Sequence, residues 1–403
     1  MKEKLCVSNV EVTGKRCLVR VDFNVPLDEF KNITDDKRIR ECLPTINDLI
    51  DRDAKVILMS HLGRPKGERN AKLSLQLVQG RLARLLNHEV LFAEDCVGKT
   101  AEEAVASMKN GDVLLLENLR FHTEETKNDP EFAKKLASLA DIFINDAFAT
   151  AHRAHASTEG ITHFIDPSAC GYLMKKEIDY FNRAVSSPMH PVVAIVGGAK
   201  ASTKINLLLN LIDKVDKLIV GGGLAFTFLK ARGFEIGNNI LEEKFVDTVS
   251  EIMKKAREKS VKFYLPVDFL VAERLDPRAQ TKVVPAQEIP ADWTAPDIGP
   301  ASVTLFREVL QDAKTVIWNG PMGVFEIDLF SRGTMAMVDA VANAYALTIV
   351  GGGDTDVAVH RAGQTGNISF ISTGGGAFLE LLEGNTLPGI AALTDAPQQE
   401  SAH

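Results

Sequence analysis

Three observations predict an α/β fold made of two doubly wound parallel-sheet (Rossmann-like) lobes joined by a hinge helix. Short runs rich in Val, Ile and Leu alternate with helix-period segments along the whole chain. The runs are continuously apolar, as in strands covered on both faces, and such strands form parallel sheets. The chain has 403 residues, and two smaller sheets suit that length better than one sheet of eleven strands.

In the first half the strand candidates are 17–21 (CLVRV), 56–60 (VILMS), 90–93 (VLFA), 113–117 (VLLLE) and 142–145 (IFIN). Helical periods lie between them. Leu75, Val78, Leu82 and Leu85 share one face of LSLQLVQGRLARLLN. Asp129 can cap DPEFAKKLASLA, with Pro130 in its first turn. Pro44 interrupts RIRECLPTINDLI, so a kinked or divided helix is expected there. The seam lies between Asp166 and Pro191. YLMKKEIDYFNRAV reads as one amphipathic helix, a hinge arm, and SSPMHP after it is a turn-rich break. The second half continues with 192–196 (VVAIV), 217–220 (KLIV), 262–266 (KFYLP), 315–318 (TVIW), 347–350 (LTIV) and 368–372 (ISFIS). The final NTLPGIAALTDAPQQESAH is too short for a domain and must pack on one half or fray.

Hydrophobic content of 45% and charged content of 25% are those of an ordinary soluble protein. The net charge of −8 argues against a nucleic-acid partner. Charge is unevenly spread. Residues 1–186 carry 27 Lys+Arg against 29 Asp+Glu, with twelve of the nineteen arginines and six of the nine histidines. A nearly neutral half with that many arginines has room for a local basic cleft. Cys6, Cys17, Cys42, Cys96 and Cys170 include no C-x-x-C pair, and MKEKLCVSNV has no apolar signal region. Reduced thiols and a cytoplasmic location are expected. No run of 18 apolar residues predicts a membrane span.

Of the 29 glycines, 21 lie after residue 186. They cluster at Gly197-Gly198, Gly221 to Gly223, Gly351 to Gly353 and Gly374 to Gly376, each between a strand candidate and a helical pattern. In an open parallel sheet such turns share the carboxyl edge, where ligands bind. Glycine admits a phosphate close to the backbone and leaves helix N-terminal N–H groups free to donate. VGGAKASTK is not a P-loop by spacing. If a helix starts near Ala199, Lys200 and Lys204 share a face, where two ammonium groups repel unless an anion sits beside them. A polyphosphate would do, and so would plain solvation of that face. WNGPMGVFE could wrap a nucleoside, with Glu326 accepting from ribose hydroxyls. GGGDT puts Asp354 and Thr355 at a helix start, suited to Mg²⁺ and phosphate or to simple capping.

The first half has polar strand ends instead. Asp22 and Asn24 follow the first strand, His61 and Arg64 the second, Arg120 the fourth, and His152, Arg153 and His155 the fifth. Arg38 opens the first helix. Arginine presents a planar fork to phosphate and carboxylate, so a small acid carrying both groups would suit such an edge. The histidines have no ligand spacing that suggests zinc.

VDFNVP, SHLGRP, LLENLRF, NDAFATAHRAHAS, VGGAKASTK, GGGLAFTFL, WNGPMGVFE, GGGDT and STGGGAFLELLEG, in that order, resemble phosphoglycerate kinase from about residue 5 to about residue 394. The resemblance implies one lobe for 3-phosphoglycerate and one for the magnesium nucleotide. Domains 1–172 plus 388–403, a hinge helix at 173–186 and a nucleotide lobe at 187–387 follow from it. It implies that Asp22, Asn24, Arg38, His61, Arg64, Arg120 and Arg153 hold the phosphoglycerate. Gly198, Lys204, Gly222, Asn319, Pro321, Val324, Glu326, Gly352, Gly353, Asp354 and Thr355 would hold ATP or ADP, with Asp354 at Mg²⁺. Lys200, Arg38 and the amides of Gly374, Gly375 and Gly376 would surround the transferring phosphoryl group. Phe378, where many members have a small polar residue, and Asp356, an extra acid beside the metal motif, are the departures.

The reaction implied is reversible transfer from 1,3-bisphosphoglycerate to ADP, in line and after lobe closure, by a monomer needing neither nucleic acid nor membrane. The accepting carboxylate is already ionised at pH 7, so no general base is required. Another carboxylate kinase or an ATP-dependent ligase would share this layout, and a nucleotide-binding scaffold without turnover would share part of it.

Overall fold

The first apolar run forms β1 (Arg16–Arg20), buried along all but its first residue. A computed structural model, describing residues 2–397, places five more strands beside it. They are β2 (Lys55–Met59), β3 (Val90–Ala93), β4 (Val113–Leu116), β5 (Ile142–Asn145) and β6 (Ser168–Cys170). The order is β3-β4-β2-β1-β5-β6, and every neighbouring pair is parallel. The chain builds outward from β1 on one side and then returns to add β5 on the other. The winding therefore reverses between β1 and β5, where open α/β sheets leave a crevice at the carboxyl ends.

The second sheet repeats this plan. Its strands are β7 (Val192–Val196), β8 (Lys217–Val220) and β9 (Lys262–Tyr264), then, after an insertion, β13 (Thr315–Asn319), β14 (Leu347–Gly351) and β15 (Phe370–Ile371). The order is β15-β14-β13-β7-β8-β9, again parallel throughout. Here the winding reverses between β7 and β13. The insertion is a three-stranded antiparallel sheet, β11-β10-β12, of β10 (Asp268–Ala272), β11 (Thr281–Pro285) and β12 (Thr294–Ile298). The sequence reading missed it and β6. β6 is three residues long, and β11 is mostly exposed, so neither presents a continuous apolar run.

The helices follow their local chemistry. Asp129 accepts from Phe132 N at 2.9 Å and caps Pro130–Ala137. Val78 and Leu82 bury one face of Gln76–Leu86, while Leu85 is half-buried. Pro44 does not divide its helix, which runs unbroken over Lys37–Asp51. The lost i→i−4 bond is local, and Ile39, Cys42, Thr45, Ile46 and Leu49 hold one face of the helix on the core.

The chain separates into two compact units, Met1–Asp179 with Thr386–His403, and Tyr180–Asn385. The boundary falls inside the helix Tyr172–Phe181, which runs on into a wider π turn at Asn182–Ser186. The closing segment belongs to the first unit. Thr394 N donates to Ser168 O at 2.9 Å, and Leu5 N donates to Thr394 O at 2.8 Å. Of the span 388–403 assigned to this lobe from sequence, residues 398–403 lie outside the described residues. Among the described residues no helix is long and apolar enough to cross a membrane.

Candidate active site

At the carboxyl end of β1 stands Arg20, fully buried and opposite Asn145 of β5 in register. Each of its three guanidinium nitrogens donates one hydrogen bond. Nε donates to Ser157 Oγ at 2.9 Å, Nη1 donates to the Val21 carbonyl, and Nη2 donates to His61 Nδ1 at 3.1 Å. Ser157 in turn donates from Oγ to the buried Glu125 at 2.6 Å, which brings a countercharge within one residue of the arginine. Because Nδ1 of His61 accepts, its proton sits on Nε2. Burial, with Arg20, Arg120, Arg38 and Arg153 around it, holds His61 well below the usual histidine range. The ring is neutral and presents an N–H donor.

A polar chain runs from His61 toward the helix Lys37–Asp51. Arg38 pairs with the buried Asp22, and Asn24 N donates to Asp22 Oδ1 at 3.2 Å. Asn24 Oδ1 accepts from Gly63 N at 2.8 Å, and Gly63 O accepts from Arg120 Nη1 at 2.8 Å. Arg120 opens onto a cavity of about 520 Å³. Arg64, Lys66, Lys127 and Arg153 line it with His122 and His155, and no carboxylate is among the lining residues. Burial, with Arg20 and Arg153 nearby, draws Arg120 down to about 10, where it is still a cation at neutral pH. Burial and the same arginines lower His155 to about 4. The cavity gathers five cationic side chains and two histidines from the segments that follow β2, β4 and β5 at the carboxyl edge of the sheet.

The second unit builds its site at the matching place. Gly197 N, just after β7, donates to Asn319 O at the end of β13 at 2.9 Å, and Gly198 N donates to Pro321 O at 3.0 Å. Gly222 has φ +67°, and a Cβ there would lie 2.7 Å from Gly198 N. No other residue fits so close a crossing of two backbones. Lys204 donates to Asn319 Oδ1, and Asn319 Nδ2 donates to Gly351 O at 2.9 Å. Burial lowers Lys204 from its ordinary value. Thr355 is buried and accepts from Gly320 N at 2.8 Å through Oγ1.

Beside these turns lies a pocket of about 370 Å³. Gly198, Gly222, Pro321, Val324, Glu326 and Asp354 line it, together with Phe226, Asn239, Ile240, Phe269, Leu275 and Pro296. Its walls are apolar, its rim carries two carboxylates, and the strand-to-helix glycine turns form one side. A flat base and a ribose suit such a slot, with phosphates directed along the turns.

Two six-stranded parallel sheets, each with a polar site at its switch point, narrow the fold, and comparison with known proteins fixes the family. A family model described as phosphoglycerate kinase matches residues 7–385. The phosphoglycerate kinase of Geobacter metallireducens is 62% identical over 382 residues, 95% of this chain and 96% of that protein. That of Citrifermentans bemidjiense is 59% identical over 388 residues, 96% and 97% of the two. The structure of phosphoglycerate kinase from Coxiella burnetii superposes with a TM-score of 0.90 at 43% identity, covering 96% of this chain and 98% of that one. This chain belongs to the phosphoglycerate kinase family.

Asp22, Asn24, Arg38, His61, Arg64, Arg120 and Arg153 all lie in the first unit, either on the cavity or in the polar network behind it. Of the nucleotide set, Gly198, Gly222, Pro321, Val324, Glu326 and Asp354 line the pocket, Lys204, Asn319 and Thr355 sit in the hydrogen-bonded turns, and Gly352 and Gly353, off the pocket wall, lead into the helix Gly353–Arg361. Lys200 departs from expectation. The helix does not begin near Ala199. Lys200 is extended, a 3₁₀ turn follows at Ala201–Thr203, and the helix Ile205–Leu211 starts only after Lys204. The two lysines therefore do not share a helical face. Lys200 is exposed near Glu242, while Lys204 points inward. Gly374 N–H already donates to Ser372 Oγ at 3.1 Å, so of the three glycine amides assigned to the phosphoryl group this one has a partner. Gly376 begins the helix Gly376–Leu382.

Three features escaped the sequence reading. Arg20 was hidden inside an apolar strand run, and that misplaced charge was its signal. The pocket wall of Phe269, Thr294 and Pro296 comes from the missed antiparallel sheet. Asp95, Cys96 and His122 bring a carboxylate, a thiol and an imidazole together. There, however, His122 Nε2 bonds Asp95 Oδ1 at 2.7 Å, Arg69 takes the other oxygen, and burial keeps the Cys96 thiol protonated. Phe378, one of the family departures, is a core residue, its ring lying flush on Gly351 and edge-on to Phe181 at 6.4 Å.

Proposed function

We propose that the protein catalyses reversible phosphoryl transfer from 1,3-bisphosphoglycerate to ADP, giving 3-phosphoglycerate and ATP. The observation that carries this reading is the cavity with Arg64, Lys66, Arg120, Lys127 and Arg153 on its wall and no acid among them. It fits a small, multiply charged acid, and the second unit supplies a separate slot suited to a nucleotide.

In the ATP-consuming direction the nucleophile is a carboxylate, ionised at pH 7 without help. A general base is unnecessary, and the neutral His61 is set up as a donor to an anion through Nε2–H. Arg64, Arg120 and Arg153 fix the acid by charge and by bidentate contact. Asp22 and Asn24 hold Arg38 and the Gly63 turn in place. Lys204, anchored on Asn319, faces the nucleotide phosphates. Lys200, exposed and not tied into the Asn319 network, follows the phosphoryl group as it moves. Charge on the three equatorial oxygens is neutralised by Lys200, Arg38 and the helix-start amides of Gly375 and Gly376. Transfer is in line and follows closure of the lobes.

Asp354 stands on the pocket rim at the start of the helix Gly353–Arg361, a hard oxygen donor beside the place for the phosphates. One carboxylate plus phosphate oxygens is the donor set Mg²⁺ takes, and the residues present fit it. When bound, Mg²⁺ would screen phosphate charge. The enzyme acts as a monomer in the cytoplasm, in keeping with five free, buried thiols.

A coupled assay with purified protein, ATP and a panel of small acids tests the proposal. Turnover with 3-phosphoglycerate and none with other carboxylates supports it. Turnover with a different acid alone assigns the layout to another carboxylate kinase.

A further inference from the structure

Outside both sites, Cys6 and Cys170 are paired across an isolated parallel bridge between the start of the chain and β6. Cys170 N donates to Leu5 O at 2.8 Å, which locks the register. Neighbouring strands lie about 4.8 Å apart, and paired residues project to the same face. A disulfide spans Cα separations of about 4.4–6.8 Å, so the backbone is already placed for one. Both thiols are free and buried, with 5% and 1% of each residue exposed, so any reagent must enter through a local opening.

The chemistry of the two sulfurs differs. The Cys170 thiol donates to Cys6, and this contact outweighs burial in lowering the Cys6 thiol, with Ser8 and the Lys175 ammonium adding to it. The same contact, then burial, pushes Cys170 up. One sulfur is prepared to attack and its neighbour holds a proton, the division of labour of an attacking and a resolving cysteine. Lys2 to Leu5 are tied to the closing segment by Leu5 N to Thr394 O at 2.8 Å, Ala396 N to Glu3 O at 2.9 Å and the Lys4 ammonium on Ala391 O, Leu393 O and Asp395, so a reagent reaches the sulfurs only when this pairing opens.

We propose that Cys6 and Cys170 form a redox modification site, closed to a disulfide by a peroxide and reopened by a dithiol. The Cys6 thiolate attacks one oxygen of hydrogen peroxide, the O–O bond breaks, and Cys6 becomes a sulfenic acid with hydroxide leaving. Cys170 sulfur then attacks the Cys6 sulfur. The S–O bond breaks, the S–S bond forms, and the Cys170 proton leaves with the hydroxyl as water. Hydroxide takes a proton from solvent, so two thiols and one peroxide give one disulfide and two waters. The new bond ties the chain start to β6, one residue before the Gly171-Tyr172 entry to the helix that carries the unit boundary.

Treating the full-length protein with limited hydrogen peroxide, then alkylating it under denaturing conditions and mapping its peptides, tests this. The expected result is loss of two of the five thiols, a linked peptide joining Cys6 to Cys170, and full recovery with dithiothreitol. Cys6→Ser and Cys170→Ser should each abolish the linked peptide. If either variant fails to fold, the mapping of the unsubstituted protein decides alone. Five thiols surviving while free cysteine in the same tube is oxidised overturns the proposal. So does a disulfide between other cysteines, or Cys6 passing to sulfinic acid without a link to Cys170.

Discussion

Arg20 Nη2 donates to His61 Nδ1 across 3.1 Å, and both side chains are out of solvent. One hydrogen bond thereby fixes the tautomer, the ring orientation and, with burial and neighbouring cations, the neutral state of His61. Arg20 touches no cavity wall, so it acts by positioning.

Arg20→Gln should therefore raise the KM for 3-phosphoglycerate about tenfold, roughly 1.4 kcal/mol, and leave ADP binding unchanged. Unfolding stability should fall by about 1–3 kcal/mol, since Ser157 and His61 each lose a buried partner. Steady-state kinetics with urea titration checks both. An unchanged KM in a folded variant removes the positioning role.

Lys200→Ala should lower kcat about a hundredfold with little change in nucleotide KM, because an exposed lysine following the phosphoryl group acts mainly in the transition state. Lys204→Ala should weaken nucleotide binding as well, because Lys204 is half-buried and anchored on Asn319 beside the glycine turns. Near-normal kcat in Lys200→Ala contradicts its assignment.

Acid and base limits on stability come from buried groups, two of them carboxyls and one, His155, on the cavity wall. Burial pushes the Asp297 carboxyl from 3.8 up to about 7, despite bonds from Gly333 N at 2.6 Å and Ile298 N at 3.0 Å. The folded form keeps a proton that the unfolded chain releases, so this group costs stability as pH rises through about 4 to 7. Asp146, raised to about 6, acts in the same direction. His155, lowered from 6.5 to about 4, acts in the opposite one, its contribution being lost as pH falls through that window. Asp297→Asn removes the first term alone. The Tm difference, variant minus parent, should grow as pH rises from 4 to 8. A difference independent of pH contradicts a buried, protonated Asp297.

The parts legible in the sequence were those with local causes. Strands such as Val192–Val196 are apolar from end to end, and both their existence and their bounds could be read directly. Asp129 and Pro130 mark a helix start by chemistry confined to one turn. The glycine turns and strand-end arginines could be placed because a parallel sheet gathers its carboxyl ends. What escaped depends on long-range pairing. β11 is a ladder partner of β10 with mostly exposed side chains, so only tertiary contact makes it a strand. Lys200 was misplaced because backbone geometry after Gly198, at φ +115°, delays the helix by several residues. Arg20 was passed over because its partners, Ser157 and His61, lie 137 and 41 residues away.

Lobe closure should appear in small-angle scattering. Donor and acceptor atoms must come within roughly 3–3.5 Å, in line and away from water, which an enzyme admitting two substrates achieves by moving. The radius of gyration should fall when 3-phosphoglycerate and magnesium nucleotide are both present, and by less with either alone. An active sample with the same radius in all four conditions contradicts the hinge.

The central claim is that acid and nucleotide are held by two separately built sites, one at the switch point of each sheet. Crossed calorimetry tests it most directly, with the parent, Arg64→Ala, Arg120→Ala and Lys204→Ala each titrated with 3-phosphoglycerate and with ADP. The account predicts that the arginine variants lose affinity for 3-phosphoglycerate by about tenfold or more and keep that for ADP, while Lys204→Ala does the reverse. Equal loss of both ligands in any folded variant would contradict it.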